Sequence, residues 1–158
     1  MPSALPGVPA QALLQLDKQL CFALYSASHA MSRVYRPLLA PLELTYPQYL
    51  VMLVLWEADA QRVKAIGERL QLDSGTLTPL LKRLEALGYV ERARAAHDER
   101  EVIVRLTAQG RALKRRARKV PECVLAATGL TVQQLRALHG QVQALRGRLL
   151  AVAEPPLP

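Results

Sequence analysis

Residues 74–106 read SGTLTPLLKRLEALGYVERARAAHDEREVIVRL, and the change of periodicity along them decides the fold. From Ser74 to Leu87 the apolar residues Leu77, Leu80, Leu81, Leu84 and Leu87 recur at steps of three and four, which puts one side of a helix against a core. Gly88 stops that helix. Its other side carries Ser74, Thr76, Thr78 and Pro79 on the first turns, with Lys82 and Arg83 further along. Short hydroxyl side chains let a helix sit close to base edges and thymine methyls, and a basic pair beyond them reaches phosphate or guanine. Upstream, Arg62 to Leu70 predicts a short helix and Gln71 to Asp73 a tight turn. The unit is helix, turn, helix.

Downstream the helical period ends. Tyr89–Arg94 and Arg100–Leu106 are β-prone runs joined by Ala95-Ala96-His97-Asp98-Glu99, which predicts a hairpin directly behind the groove-reading helix. Such a hairpin is a wing. Arg92, Arg94, Arg100 and Arg105 load it with positive charge, and a narrow minor groove attracts inserted arginine. Asp98 is expected to shape the loop by pairing with Arg100, with Arg94 nearer the DNA.

Charge along the chain agrees with that placement. The whole carries a formal +8, yet residues 1–60 hold three basic and four acidic groups while residues 82–119 hold twelve basic and five acidic. A basic centre between nearly neutral flanks suits a phosphate-facing surface, because Lys and Arg displace condensed counterions. A heparin-like or acidic-lipid partner would read the same, so charge alone decides little.

The N-terminus lacks a basic start and is broken by Pro2, Pro6 and Pro9, so no signal peptide is expected. The longest apolar run, Tyr49 to Trp56, is too short for a bilayer. A cytoplasmic protein without a membrane partner is expected, and in a reducing compartment Cys21 and Cys123 are buried thiols or a transient redox pair. His29, His97 and His139 have no ligand spacing, so neither a metal site nor another cofactor is expected.

Upstream of the basic unit, Leu13, Leu16, Leu20, Leu24, Ala27, Met31, Val34 and Leu38 form a seam that predicts one helix from about Ala12 to Leu39. Beside it runs a second stripe of Cys21, Tyr25, Ser28, Ser32 and Tyr35. Tyr25 is one turn from the thiol, but Tyr35 is fourteen positions on, about 21 Å away at helical rise. Within one unbroken helix they cannot touch, whereas an antiparallel second copy could bring Tyr35 of one chain to Cys21 of the other. Phenol hydroxyls donated to a sulfur favour its thiolate, the reactive form. A cysteine on an apolar helix face is more often an inert packing residue.

Thr45 with Gln48 makes a capping box for a buried helix to about Ala58, whose first turn carries Tyr46. Thr107 is placed to cap a basic helix bearing Arg111, Lys114, Arg115, Arg116, Arg118 and Lys119, a solvated face that also flanks phosphates. Thr131 with Gln134 caps a last helix whose seam is Leu135, Leu138, Val142, Leu145 and Leu149. Both chain ends therefore offer helices to a partner. The expected divisions are a loose arm at 1–11, N-terminal helices at 12–60, a winged helix-turn-helix at 61–106, dimerising helices at 107–152 and a tail at 153–158.

This order resembles the MarR family of bacterial winged-helix regulators over about residues 12–150. The likeness is most specific in Leu20-Cys21-Phe22-Ala23-Leu24-Tyr25-Ser26, in Leu44-Thr45-Tyr46-Pro47-Gln48-Tyr49-Leu50-Val51-Met52, and in Asp98-Glu99-Arg100 leading to Leu106-Thr107. The first two segments resemble the OhrR type, the organic hydroperoxide sensors. The resemblance implies a mainly α fold with a small β-hairpin wing, dimerising through its end helices. It assigns the peroxide-reactive thiol to Cys21, its hydrogen-bonding phenols to Tyr35 and Tyr46 of the second copy, and a resolving role to Cys123. Phe22, Tyr25 and Met31 would line the peroxide pocket. The implied protein is a homodimeric repressor of double-stranded operator DNA that lets go when an organic hydroperoxide oxidises it. A regulator of the same fold answering a small aromatic ligand, with Cys21 inert, is the competing expectation. No peroxidase motif surrounds either cysteine, so no enzyme is expected, and a plain coiled-coil protein would not need the wing.

Overall fold

The computed structural model describes residues 14–94 and 101–153. Seven helices and three short strands follow in the order α1 (Leu20–Leu39), α2 (Tyr46–Glu57), β1 (Gln61–Arg62), α3 (Val63–Leu70), α4 (Ser74–Ala86), β2 (Val90–Arg94), β3 (Val102–Leu106), α5 (Ala108–Ala117), α6 (Lys119–Thr128) and α7 (Val132–Ala153). The expected arm at 1–11, the wing loop with Asp98 and Arg100, and most of the tail lie outside the described residues.

The core is the apolar side of α2, α3, α4 and α5 closed by the wing. Leu39, Met52, Leu55, Ile66, Leu77, Leu81, Leu84 and Val104 are almost wholly buried. Each such side chain contributes about 1.5–3 kcal/mol relative to an exposed one. Helix α2 is buried on nearly every side, as its unbroken apolar run predicts, and it starts in the predicted capping box: Thr45 N–H donates to Gln48 Oε1 at 2.8 Å. Between α3 and α4 the backbone doubles back so tightly that a Cβ on Gly67 would lie 2.8 Å from the Leu72 carbonyl oxygen. Only glycine fits there.

The wing pairs antiparallel from Val90 opposite Leu106 to Arg94 opposite Val102. A third strand was not expected: Gln61 and Arg62 pair with Val104 and Ile103, making the order β1-β3-β2. Two residues carry no alternation to read, and Arg62 belongs to this strand and not to the helix predicted from it.

One helix boundary also corrects the expectation. The single helix predicted from Ala12 begins at Leu20; a 3-10 turn covers Leu16–Lys18 and Gln19 is extended. The reason lies in packing. Leu16 and Leu20 of the seam are 59% and 58% exposed, so nothing among the described residues holds it in helical form there, and short helices without packing are marginal. Helix α7 is exposed along both faces, with Leu145 its one half-buried seam residue. No single helix among the described residues is long and apolar enough to cross a membrane.

Candidate nucleic-acid interface and thiol site

Helix α4, which the sequence reading expects to enter the groove, is built as its sequence requires. Leu77, Leu81 and Leu84 are buried, Leu80 and Leu87 are half-buried, and Ser74, Thr76, Pro79, Lys82 and Arg83 stand exposed with Thr78 partly so. Asp73 caps the helix, accepting from the Thr76 N–H at 2.8 Å and from the Thr76 hydroxyl at 3.0 Å. Those two bonds, the backbone one foremost, hold its carboxyl below the ordinary aspartate range.

The wing is tied to α4 by a pair absent from the sequence reading. Arg92 donates to Glu85 through its guanidinium at 2.6 and 3.0 Å and through its backbone N–H at 3.2 Å. The Arg92 hydrogen bond and charge keep the Glu85 carboxyl ionised to lower pH than usual. Arg92 is thus a strut and not one of the free wing cations. Arg94 and Arg105 remain exposed. At the wing base the buried Tyr89 hydroxyl donates to the Leu42 carbonyl at 3.1 Å, and burial raises that phenol above its ordinary value.

The basic helix divides in the same way. Arg111 donates to Asp59 and to the Leu106 carbonyl, Lys114 to the Trp56 carbonyl at 2.7 Å, and Arg116 to the Pro41 carbonyl. Arg111 thereby ties α5 to Asp59 and the end of β3, while Lys114 and Arg116 brace it against the end of α2 and the chain before α2. Arg115, Arg118 and Lys119 make the solvated face. Sequence reading also missed Asp59, which accepts from the backbone N–H groups of Ala60 at 2.7 Å and Leu106 at 2.8 Å, and the buried indole of Trp56, which donates to the Gly110 carbonyl at 2.9 Å. A single aspartate between two elements gives no spacing to recognise.

The thiol region is open by contrast. Cys21 on the first turn of α1 and Cys123 in α6 are both free and exposed. Phe22 is half-buried, while Tyr25 and Met31 are 61% and 36% exposed, Tyr25 resting on His29 with ring centroids 4.3 Å apart. The two phenols singled out by sequence come together: Tyr35 and Tyr46 stack at 4.5 Å, with Tyr49 at 6.0 Å from Tyr35. Burial first, and then the neighbouring Tyr46 and Tyr49, push the Tyr35 phenol up to about 12, so it stays a proton donor throughout the physiological range. Neither Tyr35 nor Tyr46 hydroxyl has a hydrogen-bond acceptor among the described residues.

A family described as transcriptional regulator SarA/Rot matches residues 33–117. The organic hydroperoxide resistance transcriptional regulator of Bacillus subtilis is 45% identical over 132 residues, spanning 84% of this chain and 90% of that protein. The chain belongs to the MarR-type winged-helix transcriptional regulators. This MarR-type protein is also 57% identical over 138 residues to the regulator TtmR of Methylorubrum extorquens, across 87% of this chain and 71% of that one. Among solved structures it is similar to AbfR of Staphylococcus epidermidis in three states. Reduced AbfR bound to DNA is 35% identical with a TM-score of 0.72 over 89% of this chain and 98% of that one. Overoxidised AbfR bound to DNA gives 36% and 0.70 over 87% and 97%, and disulfide-formed AbfR 35% and 0.61 over 92% and 97%. The chain is thus a DNA-binding regulator of the MarR type, with the winged-helix fold of those structures.

Proposed function

We propose that the protein is a homodimeric repressor that senses organic hydroperoxides through Cys21 and releases its operator when oxidised. The observation that carries this is the Tyr35–Tyr46 pair: two phenols held together, one fixed as a donor, with no acceptor among the described residues. On the same helix an exposed thiol lies about 21 Å away, next to an uncovered apolar stripe. An antiparallel second copy of α1 supplies the missing acceptor and covers Leu20 and Leu24 in one step.

In this reading the Cys21 thiolate attacks the outer oxygen of the hydroperoxide. The O–O bond breaks, sulfur loses two electrons to become a sulfenic acid, and the alkoxide leaves as an alcohol on taking a proton. The thiol of Cys123 from the second copy then attacks that sulfur, forming the disulfide and expelling water. Since overoxidised AbfR still holds DNA, the disulfide and not added oxygen is the releasing change we favour. Closing it draws α1 and α6 together and turns one head relative to the other. The chemistry is stoichiometric, so the protein acts as a sensor and not as a peroxidase.

The test uses a duplex recovered from a randomised pool and cumene hydroperoxide. Cys21→Ser is expected to bind that duplex like the parent and to keep it after peroxide, with no dimer-sized band under non-reducing electrophoresis. Release of DNA by this variant would remove Cys21 from the mechanism. A second reading has one feature in its favour: a slot of about 190 Å³, of a size for a small aromatic ligand, lined by Tyr49, Leu53, Trp56, Glu57, Lys114 and Arg118. If that is the effector site, alkylating Cys21 leaves the response intact.

A further inference from the structure

The hydroxyls on the reading face of α4 are not equivalent. Ser74 is exposed and bonded to nothing among the described residues, so its hydroxyl turns freely to donate or accept. Thr76 is also exposed, but its Oγ1 lies 3.0 Å from Asp73 Oδ2, while Asp73 Oδ1 takes the Thr76 N–H at 2.8 Å. An ionised carboxylate has no proton to give, so the proton in this bond belongs to Thr76. With that proton committed, the hydroxyl offers only lone pairs outward.

We infer that Asp73 makes Thr76 an obligate hydrogen-bond acceptor, and that Thr76 therefore selects a base presenting an exocyclic amine in the major groove. Adenine N6 and cytosine N4 are the donors available there; guanine and thymine present acceptors at the equivalent edge. Residues on the first turns of a groove-inserted helix are the ones that reach base edges, and Thr76 is the third residue of α4. Asp73 acts through Thr76 and is a positioning residue. Its negative charge also disfavours a phosphate there, which keeps this turn on base edges and leaves the backbone to Lys82 and Arg83. The inference rests on α4 being the helix that enters the groove.

The discriminating change is Asp73→Asn. Asparagine caps a helix as well as aspartate, so the fold is retained. Its carbonyl still takes the Thr76 N–H, but its amide now donates to Thr76 Oγ1, which frees the hydroxyl proton for an outward acceptor. Full-length wild type, Asp73→Asn, Thr76→Val and the double variant would each be used to select duplexes from a randomised pool, with thermal melting run alongside.

Wild type is expected to enrich sites with one symmetric position restricted to adenine or cytosine on one strand by roughly tenfold. Asp73→Asn should admit guanine or thymine at that position alone, Thr76→Val should lose the restriction, and the double variant should match Thr76→Val. The inference is overturned if Asp73→Asn selects the wild-type base at every position, or if Thr76→Val changes no position. If wild type enriches nothing, the groove-reading role of α4 falls with it, an outcome distinct from enrichment that ignores Thr76.

Discussion

The winged head and the two end helices differ in how much of themselves they satisfy. In the head, apolar side chains are buried and polar ones are matched: Trp56 to Gly110, Tyr89 to Leu42, Arg92 to Glu85, Asp59 to Leu106. At the ends, Leu20 and Leu24 of α1 and Leu138, Val142 and Leu149 of α7 are 38–59% exposed, and the Tyr35 hydroxyl of α1 has no acceptor among the described residues. One region is satisfied within a single chain, and the other is completed by a second copy in the proposed homodimer. Apolar stripes at helical spacing on both ends are more surface than a monomer ordinarily leaves open.

The sharpest way to break that contrast is to truncate a leucine in each region. Leu84→Ala in the head, where the side chain is 0% exposed, should cost about 2–5 kcal/mol of unfolding free energy by denaturant titration. Leu138→Ala, 47% exposed in one chain, should leave head stability within about 0.5 kcal/mol and instead lower the dimer fraction in sedimentation. Equal losses of head stability would erase the distinction. A smaller effect is expected for Trp56→Phe, which keeps a six-membered ring but removes the pyrrole part of the indole together with its buried hydrogen bond to Gly110. It should cost about 1–2 kcal/mol, without changing the dimer.

A further effect depends on pH and is confined to the phenol cluster. Tyr35 holds its proton to about 12 in the folded chain against 10.0 ordinarily. Folding therefore gains from the neutral phenol below pH 10, and that gain fades as pH rises toward about 12 because the unfolded chain loses the proton first. Denaturation midpoints should fall more steeply over this window for the parent than for Tyr35→Phe. Identical slopes would mean the phenol is not held in a desolvated cluster.

The head was legible in the sequence because each of its parts has a local cause. The leucines of α4 carry its period, Gly88 ends it, and Thr45, Thr107 and Thr131 cap their helices as their spacing predicts. What escaped depends on meeting partners far apart in the chain. Strand β1 is two residues long, Arg92 becomes a strut only when folding sets Glu85 beside it, and Asp59 joins elements 47 positions apart. The turns predicted before α1 came from a seam with no packing partner among the described residues. At the thiol site, spacing alone put Tyr35 out of reach of Cys21, whereas the meeting of Tyr35 with Tyr46 required the crossing of α1 and α2.

Mixed dimers give the most direct test of the claim that each sulfur is served by phenols of the other chain. With Cys123→Ser in both, chains carrying Cys21→Ser are paired with chains carrying Tyr35→Phe, and the alkylation rate of the surviving thiol is measured at neutral pH. That thiol faces an intact Tyr35 only if the phenol comes from across the dimer, so it should react as fast as in the Cys123→Ser dimer. Reaction at the slower rate of the Tyr35→Phe dimer, or no difference among the three dimers, would contradict it.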